Sequence, residues 1–493
     1  MNKPPIVTIL GHVDHGKTTL LEFLLRTYSN FQKSIINKEA GGITQKVRAF
    51  EITYNNQKIT FIDTPGHEAF MGLRDRGAQI ADIAILIIAA DEGIKPQTKE
   101  SIDLLLVYKI PFIVVLNKAD KPNVDFQKVK QQLSEVGVMT EDWGGDITCV
   151  EISALNGSGI SDLLEMVLLV SEMKELKFDP EKSAEGYILE AIKDNKKGIL
   201  ASVILQNGNL KTGDLIATSS TFGKIKFIED SFGVKKDKVV ACEPVIIGGF
   251  NLLPNAGETF IISNESSLVK SQENLVAKEI LVREKFIISP EGDLSAEELN
   301  KDGYSLIIRA DHIGSLEAIE NILQKLSTEK KIKLKIIKAD LGQITSEDIR
   351  LLKDTSSIAV VFNIKNQKEI MDNIKHSGIK FLESEVIYEL EESLKEIIEE
   401  KEKFGEVKCE LEVLAVFNKI FEKKTIGGEV KFGHLRKRDK ILIKRGMEIL
   451  GKGKILSIEK NKNIVDSVEQ GSLCGLVIET NVEIEIGDKI VAR

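Results

Sequence analysis

Five apolar residues, Ile6 to Leu10, pass directly into Gly11-His-Val-Asp-His-Gly16-Lys17-Thr18, and a helix-period stretch opens at Lys17. A short continuous apolar run is the pattern of a strand buried on both faces, and the spaced glycines suit a tight turn into a helix. G-x-x-x-x-G-K-T in that context reads as a phosphate-binding loop. Gly11 and Gly16 let the N–H groups of the loop (His12, Val13, Asp14, His15) turn inward, and the helix N-terminus adds a favourable dipole. Lys17 neutralises the terminal phosphates, and Thr18, followed by Thr19, offers an oxygen to magnesium. Taken alone, the octapeptide is also compatible with a glycine-rich turn feeding a helix.

The rest of the chain narrows that choice. Its 493 residues exclude a single core, and 42% hydrophobic with 29% charged content excludes disorder. Residues 1–176 alternate short apolar runs (Ile59 to Ile62, Ala84 to Ala90, Phe112 to Leu116, Cys149 to Ile152) with helix-period stretches (His67 to Gln79, Thr98 to Tyr108, Phe126 to Val136, Ile160 to Leu176), predicting a doubly wound α/β domain. Residues 184–265 change to alternating strands broken by glycine turns, predicting a small β-barrel, and 267–288 regain helical character as a connecting helix. Residues 290–384 return to α/β alternation, 385–404 form a long acidic helix with Leu390, Leu394 and Ile397 on one face, and 406–493 are again β. Gly208-Asn-Leu-Lys-Thr-Gly-Asp214 matches Gly433-His-Leu-Arg-Lys-Arg-Asp439. Further on, Gly223-Lys-Ile-Lys-Phe-Ile-Glu229 matches Gly453-Lys-Ile-Leu-Ser-Ile-Glu459, so the last domain is expected to be a second barrel of the same type.

Cys149, Cys242, Cys409 and Cys474 are widely spaced and lack a C-x-x-C pair, which reads as buried thiols in a reducing compartment. No apolar stretch reaches membrane-spanning length and the opening Met1-Asn-Lys-Pro-Pro5 lacks a signal pattern, so the expectation is a cytoplasmic protein without a membrane partner. The net charge of −9 excludes a generally basic nucleic-acid coat. A local excess of positive charge occurs at 431–454, where nine Lys and Arg are opposed only by Asp439 and Glu448; it reads either as an RNA contact or as a solvated barrel edge.

Three further segments follow predicted strands, where open α/β sheets gather their ligand. In Asp63-Thr64-Pro65-Gly66 the carboxylate can hold magnesium through water and the glycine N–H can sense a terminal phosphate. In Asn117-Lys118-Ala119-Asp120 the Asp120 carboxylate can accept from the N1–H and 2-amino group of guanine, which adenine lacks, while Asn117 meets the N7 edge and Lys118 covers a ring face. Ser153-Ala154-Leu155 can present an N–H to the guanine O6. Four such segments in this order predict a GTP/GDP site with Mg2+. His67, next to Gly66, is the catalytic candidate for positioning water, or else a polar residue in a helix's first turn. Gly41, Gly42, Ile43 and Thr44 form a candidate switch, with Thr18, Thr44 and Asp63 as metal ligands; a plain flexible loop is the alternative. His12 and His15 are expected to shape the loop, and His312, His376 and His434 receive no role.

Gly11 to Thr18, Gly41 to Gln45, Asp63 to His67, Arg76-Gly-Ala-Gln79, Pro96-Gln-Thr98 and Asn117 to Asp120 together resemble bacterial translation initiation factor two. Leu210 to Asp214 resembles that family's second-domain barrel, Arg309 to Ala318 the opening of its third domain, and Val386-Ile-Tyr388 the lead into its long helix. The resemblance implies a monomeric GTPase that joins ribosomal subunits around initiator formylmethionyl-tRNA, alongside other initiation factors, with hydrolysis stimulated by the ribosome. Under it, His67 orients water, Thr44 and Gly66 report the nucleotide state, and Asp14 touches a monovalent cation. The family's pocket for the initiator end falls on Gly428, Lys460, Lys462, Cys474 and Gly475, where the sequence departs from the family pattern. Its first cysteine is replaced by Gly428, its aromatic by Asn461, and its glutamate by Leu473. Another translational GTPase, or a GTP-dependent ribosome-binding scaffold that does not hydrolyse, are the competing readings.

Replacing one acceptor of Asp120 by a donor in Asp120→Asn is expected to weaken GTP binding and favour xanthine nucleotide, checked by titration with both; unchanged guanine affinity would count against the assignment.

Overall fold

The computed structural model describes residues 2–29, 44–122, 124–194, 196–262, 286–288, 303–355, 357–366, 370, 374, 379–404, 409–420, 423–446, 448–460 and 463–492. Gly41, Gly42, Ile43, Lys462 and most of the expected connecting helix lie outside these residues. The chain divides into two compact units, Met1–Gln367 with Phe381–Leu390, and Lys368–Lys380 with Glu391–Arg493. Among the described residues no helix is long and apolar enough to cross a membrane.

The first unit opens with β1 (Ile6–Leu10), α1 (Lys17–Tyr28), β2 (Arg48–Tyr54), β3 (Gln57–Asp63), α2 (Met71–Ile80), β4 (Ile83–Ala89), α3 (Pro96–Tyr108), β5 (Phe112–Asn117), α4 (Phe126–Glu135), β6 (Cys149–Glu151) and α5 (Ile160–Met173). The sheet order is β2-β3-β1-β4-β5-β6, parallel from β3 to β6. Only β2 runs antiparallel, joined to β3 through Asn55 and Asn56, both at positive φ (48° and 61°), the two-residue turn that matches strand twist. Every residue of β1 and β4 is buried, and their side chains alternate between two cores. Val7, Ile9, Ile83, Ile85 and Ile87 pack with Leu20, Leu24 and Leu164 from α1 and α5, whereas Leu10, Leu86 and Ile88 pack with Ile102, Leu105, Val129 and Leu133 from α3 and α4. At about 1.5–3 kcal/mol per buried aliphatic side chain, helices on both faces are held far more strongly than any one hydrogen bond could hold them. The loops at the carboxyl ends of β1, β3, β5 and β6 therefore sit on a rigid edge.

The helix expected over His67 to Gln79 is broken in two. The His67 ring Nδ1 accepts the Ala69 N–H (3.0 Å), which caps a 3₁₀ turn at Glu68–Phe70 before α2 begins.

Residues Glu185–Ile262 form a barrel. Strand Leu215–Ala217 pairs with both Thr259–Ile262 and Phe222–Asp230, which closes a ring whose other members are Glu185–Asp194, Gly198–Asn207 and Pro244–Phe250. In the second unit, Cys409–Ile420, Lys423–Arg436, Lys440–Arg445, Glu448–Lys460, Leu473–Thr480 and Lys489–Ala492 close a ring in the same order, strand for strand. The sequence repeat occupies the same place in each. Gly213 N donates to Ile225 O and Ile225 N to Asp214 O; Arg438 N donates to Ile455 O and Ile455 N to Asp439 O. Asp214 and Asp439 each accept from the backbone three residues back, at Lys211 N (2.9 Å) and Arg436 N (2.8 Å).

A third sheet lies in the first unit: Phe286–Ile288, Lys333–Leu341, Gly303–Ala310, Ile358–Phe362 and Phe381–Ser384, in that order, antiparallel only at the first pair. Phe286–Ile288, placed at the end of the expected helix, is thus a strand; its aromatic and β-branched residues suit the sheet edge better. Two helices cover the sheet, α6 (Ile313–Lys330) and α7 (Ser346–Thr355). His312 at the start of α6 is fully buried and ion-paired to Glu190 of the barrel. Burial lowers its pKa, but the Glu190 and Asp311 carboxylates outweigh this and the net shift is upward. The long helix α8 (Ile387–Phe404) buries Ile387, Leu390, Leu394 and Ile398, so its apolar face runs through Ile398 where the sequence reading placed Ile397. All four cysteines are free; three are buried and Cys149 is half-buried.

The repeat predicts a stability gain. Gly213 takes its turn at φ 96°, and Arg438 does the same work at φ 76° with a Cβ in the way. Arg438→Gly should stabilise the second barrel by about 0.5–1 kcal/mol, read as a higher denaturation midpoint at unchanged slope.

Candidate functional site

Lys17 enters the phosphate loop from the first turn of α1 and its Nζ donates to the carbonyls of Gly11 (2.8 Å) and His12 (2.5 Å). It is buried; burial pushes its ammonium below the ordinary lysine range against the pull of Asp63. Gly16, at φ 94°, has no room for a side chain, since a Cβ would stand 2.2 Å from Asn117 Nδ2. Asp14 is exposed at φ 65°. His15 is buried edge-on to His12 at 5.1 Å between ring centroids, and burial with the neighbouring imidazole pushes its pKa down to about 4. Burial lowers His12 as well. Neutral rings that pack on one another fit loop-shaping work.

The hydroxyls of Thr18 and Thr44 lie 2.8 Å apart, and Thr44 Oγ1 donates to Asp63 Oδ2 at 3.4 Å. The three oxygens expected around magnesium are thus adjacent. Two hydroxyls and one carboxylate form a hard-oxygen set that suits Mg2+ completed by phosphate oxygens and water. Thr64 fixes the start of the following turn by donating to Ile9 O (2.9 Å). Gly66 lies directly on the loop: a Cβ there would meet Lys17 Nζ at 2.6 Å and Val13 N at 3.1 Å.

Asn117, at the end of β5, joins three segments. Its Nδ2 donates to His15 O (2.9 Å) and its Oδ1 accepts the Ala154 N–H (2.9 Å), so its amide ties the phosphate loop to the Ser153-Ala154 turn. Lys118 pairs with Glu92 (3.0 Å), and Ala119 N donates to Ile152 O. Asp120 accepts from Ser153 Oγ at 2.5 Å. Asp120 itself is exposed. Ser153 and Ala154 are buried and Leu155 is 75% exposed.

His67 is buried. Its ring meets Phe70 (6.2 Å) and Tyr388 (4.1 Å) edge-on, and with Nδ1 accepting from Ala69 the neutral ring carries its proton on Nε2. Such a ring can donate to a phosphate or orient water.

Two supporting residues escape the sequence reading. Arg74 is buried in α2 and donates to the carbonyls of His67 (2.5 Å) and Pro65 (3.3 Å) while pairing with Glu100 (3.0 Å), which fixes the Asp63–His67 turn from below. Gln97 Oε1 accepts the Val13 N–H (3.1 Å). Only Gln97 leaves a trace in sequence, through the Pro96-Gln-Thr98 motif.

The chain matches the Elongation factor Tu GTP binding domain over residues 2–172, Elongation factor G domain 2 over 183–263 and Translation-initiation factor 2 over 291–395. It is 39% identical to translation initiation factor IF-2 of Halothermothrix orenii over 99% of this chain and 71% of that protein. The chain belongs to the translation initiation factor IF-2 family. A second member, from Carboxydothermus hydrogenoformans, is 38% identical over 99% of this chain and 59% of its own length. A crystal structure of GDP-bound aIF5B from Aeropyrum pernix aligns over the whole chain and 92% of its own, at 24% identity and a TM-score of 0.49. This member of the IF-2 family is a translational GTPase that binds guanine nucleotide.

In the second barrel the described residues named for the initiator-end pocket differ in exposure. Gly428 lies in the inward row of its strand, between Ile426 and Val430, and a Cβ there would meet Leu411 Cδ2 and Glu412 O, each at 2.4 Å. Cys474, its strand partner, is also buried. Gly475, paired with Gly427, and exposed Lys460, whose Nζ donates to Ser472 Oγ (2.9 Å), are reachable from outside. The basic stretch is also smaller than its sequence suggests, because Lys431 pairs with Glu412 and Glu429, and Arg445 with Asp488 and Glu485.

Asn117→Ala leaves His15 O and Ala154 N without their partner. At about 1–3 kcal/mol for each buried group so abandoned, GDP affinity should fall at least tenfold and the melting temperature should drop, measured by fluorescent-nucleotide titration and thermal unfolding.

Proposed function

We propose that the protein binds GTP with Mg2+, promotes binding of initiator formylmethionyl-tRNA to the small ribosomal subunit and joining of the subunits, and leaves after ribosome-stimulated hydrolysis. The observation that carries this reading is the meeting of Lys17, the Thr18–Thr44–Asp63 oxygens and the Asn117–Ala154 and Asp120–Ser153 pairs along one edge of the first sheet. Lys17, held against the loop carbonyls, is exchanged onto the terminal phosphates. Thr18, Thr44 and Asp63 would hold the magnesium, which when bound would supply withdrawal of charge from the phosphate oxygens. Gly66, packed on Lys17, is moved by a third phosphate, and Thr44 is drawn in with it. Asp120 reads the guanine N1–H and 2-amino group, and Ala154 N–H lies beside the O6 position.

His67 orients the attacking water through Nε2–H and is the catalytic residue of this reading. Asp14, exposed at the loop, is the contact for a monovalent cation. The modules correspond to a G domain over 1–176, barrels over 184–265 and 406–493, and an α/β domain over 290–384 followed by the helix at 385–404. The second barrel offers the initiator end an accessible face at Lys460 and Gly475. Cytoplasmic residence, a monomeric state and cooperation with other initiation factors complete the reading.

His67→Ala should spare GTP binding while lowering ribosome-stimulated turnover by about 10²–10⁴-fold, compared by single-turnover hydrolysis with and without ribosomes. Equal stimulated rates would remove His67 from the mechanism. The same comparison separates an enzyme from a scaffold that binds nucleotide without hydrolysing it.

A further inference from the structure

Two motifs that carry the family resemblance have no task in nucleotide binding: Gln45, after Thr44, and Val386-Ile-Tyr388, where α8 begins. They meet. The Gln45 carboxamide donates from Nε2 to Glu385 O (2.9 Å) and accepts at Oε1 from Ile387 N (3.0 Å), so it grips the first turn of α8 from both sides. One residue further along that turn, the Tyr388 ring stands against His67 with centroids 4.1 Å apart and planes at 70°. Gln45, His67 and Ile387 are buried, while Tyr388 is 40% exposed. Neighbouring contacts hold the arrangement in register: Lys46 pairs with Asp311 (2.6 Å), Arg76 with Glu317 (2.7 Å), and Asn321 donates to Ala69 O (3.0 Å) beside the His67 cap.

The His67 ring is therefore fixed in two ways, by its own cap to Ala69 and by the edges of Phe70 and Tyr388. We propose that Tyr388 is a positioning residue that holds His67 in this capping orientation and restrains turnover until the first turn of α8 moves. Gln45 ties that turn to the residue next to Thr44, so a movement of Thr44 acts on the same grip. Nucleotide binding and the position of Tyr388 are thus linked, and the linkage is reciprocal. This rests on the reading of His67 as the water-orienting residue.

The test is ribosome-free single-turnover GTP hydrolysis by the full chain with magnesium. An edge-on aromatic pair shifts a two-state population about two- to tenfold, so Tyr388→Leu should raise the rate constant by about that factor. GDP affinity should stay within about twofold, because GDP lacks the third phosphate that acts on Thr44 and so does not engage the linkage. Tyr388→Phe keeps the ring and should restore the wild-type rate. Gln45→Ala frees the same turn from the other side and should move the rate upward too. Adding His67→Ala to Tyr388→Leu should abolish the gain. A Tyr388→Leu rate equal to or below wild type overturns the proposal. If ribosome-stimulated hydrolysis by His67→Ala is slow while Tyr388→Leu is unchanged, only the positioning role falls; if His67→Ala is as fast as wild type, both readings fall.

Discussion

The nucleotide crevice depends on one side-chain amide. Asn117 stands at the end of a buried strand whose position is set by two hydrophobic cores, and it turns that rigidity into a fixed distance between the phosphate loop and the turn after β6. Neither loop could do this for the other, because both consist of backbone that must stay open to a ligand. Gly16 shows how tight the junction is: its missing side chain is the space that the Asn117 amide occupies. The apolar runs set where the strands lie, and this polar clasp sets how their ends face one another.

The α/β class was legible in the alternation of apolar runs with helix-period stretches, because parallel strands covered on both sides must be continuously apolar. The repeat of turn chemistry also pointed to matching barrels, since Asp214 and Asp439 each bind the backbone three residues back whatever the intervening sequence. Boundaries were less legible where a side chain acts on its own backbone. The His67 cap that breaks the helix after Gly66 depends on the imidazole's rotamer, and periodicity carries no information about that. The burial of Arg74 beneath the same turn was equally silent, because a single arginine on a helix is most often solvated. At Asp120 the sequence carried no sign of exposure: the carboxylate accepts from Ser153 while lying open to solvent.

Long-range pairing was the part that no local pattern could supply. Gln45 and Ile387 are separated by most of the first unit, and so are Arg76 and Glu317, yet each pair belongs to a motif visible in the sequence. Such motifs read as family marks until the fold brings them together, when they become the two halves of one contact. The contacts are mostly hydrogen bonds and partly exposed ion pairs, each of modest strength. A junction of this kind holds in register without being locked, as a part that must move requires.

Leu411 and Gly428 share one volume inside the second barrel, the leucine lying where a side chain at 428 would otherwise go. Enlarging the glycine alone overfills the barrel, at about 1–3 kcal/mol, and trimming the leucine alone leaves a hole. Because a Cβ at 428 would also stand 2.4 Å from the Glu412 carbonyl oxygen, a larger residue there asks the neighbouring strand to shift as well as the leucine to shrink.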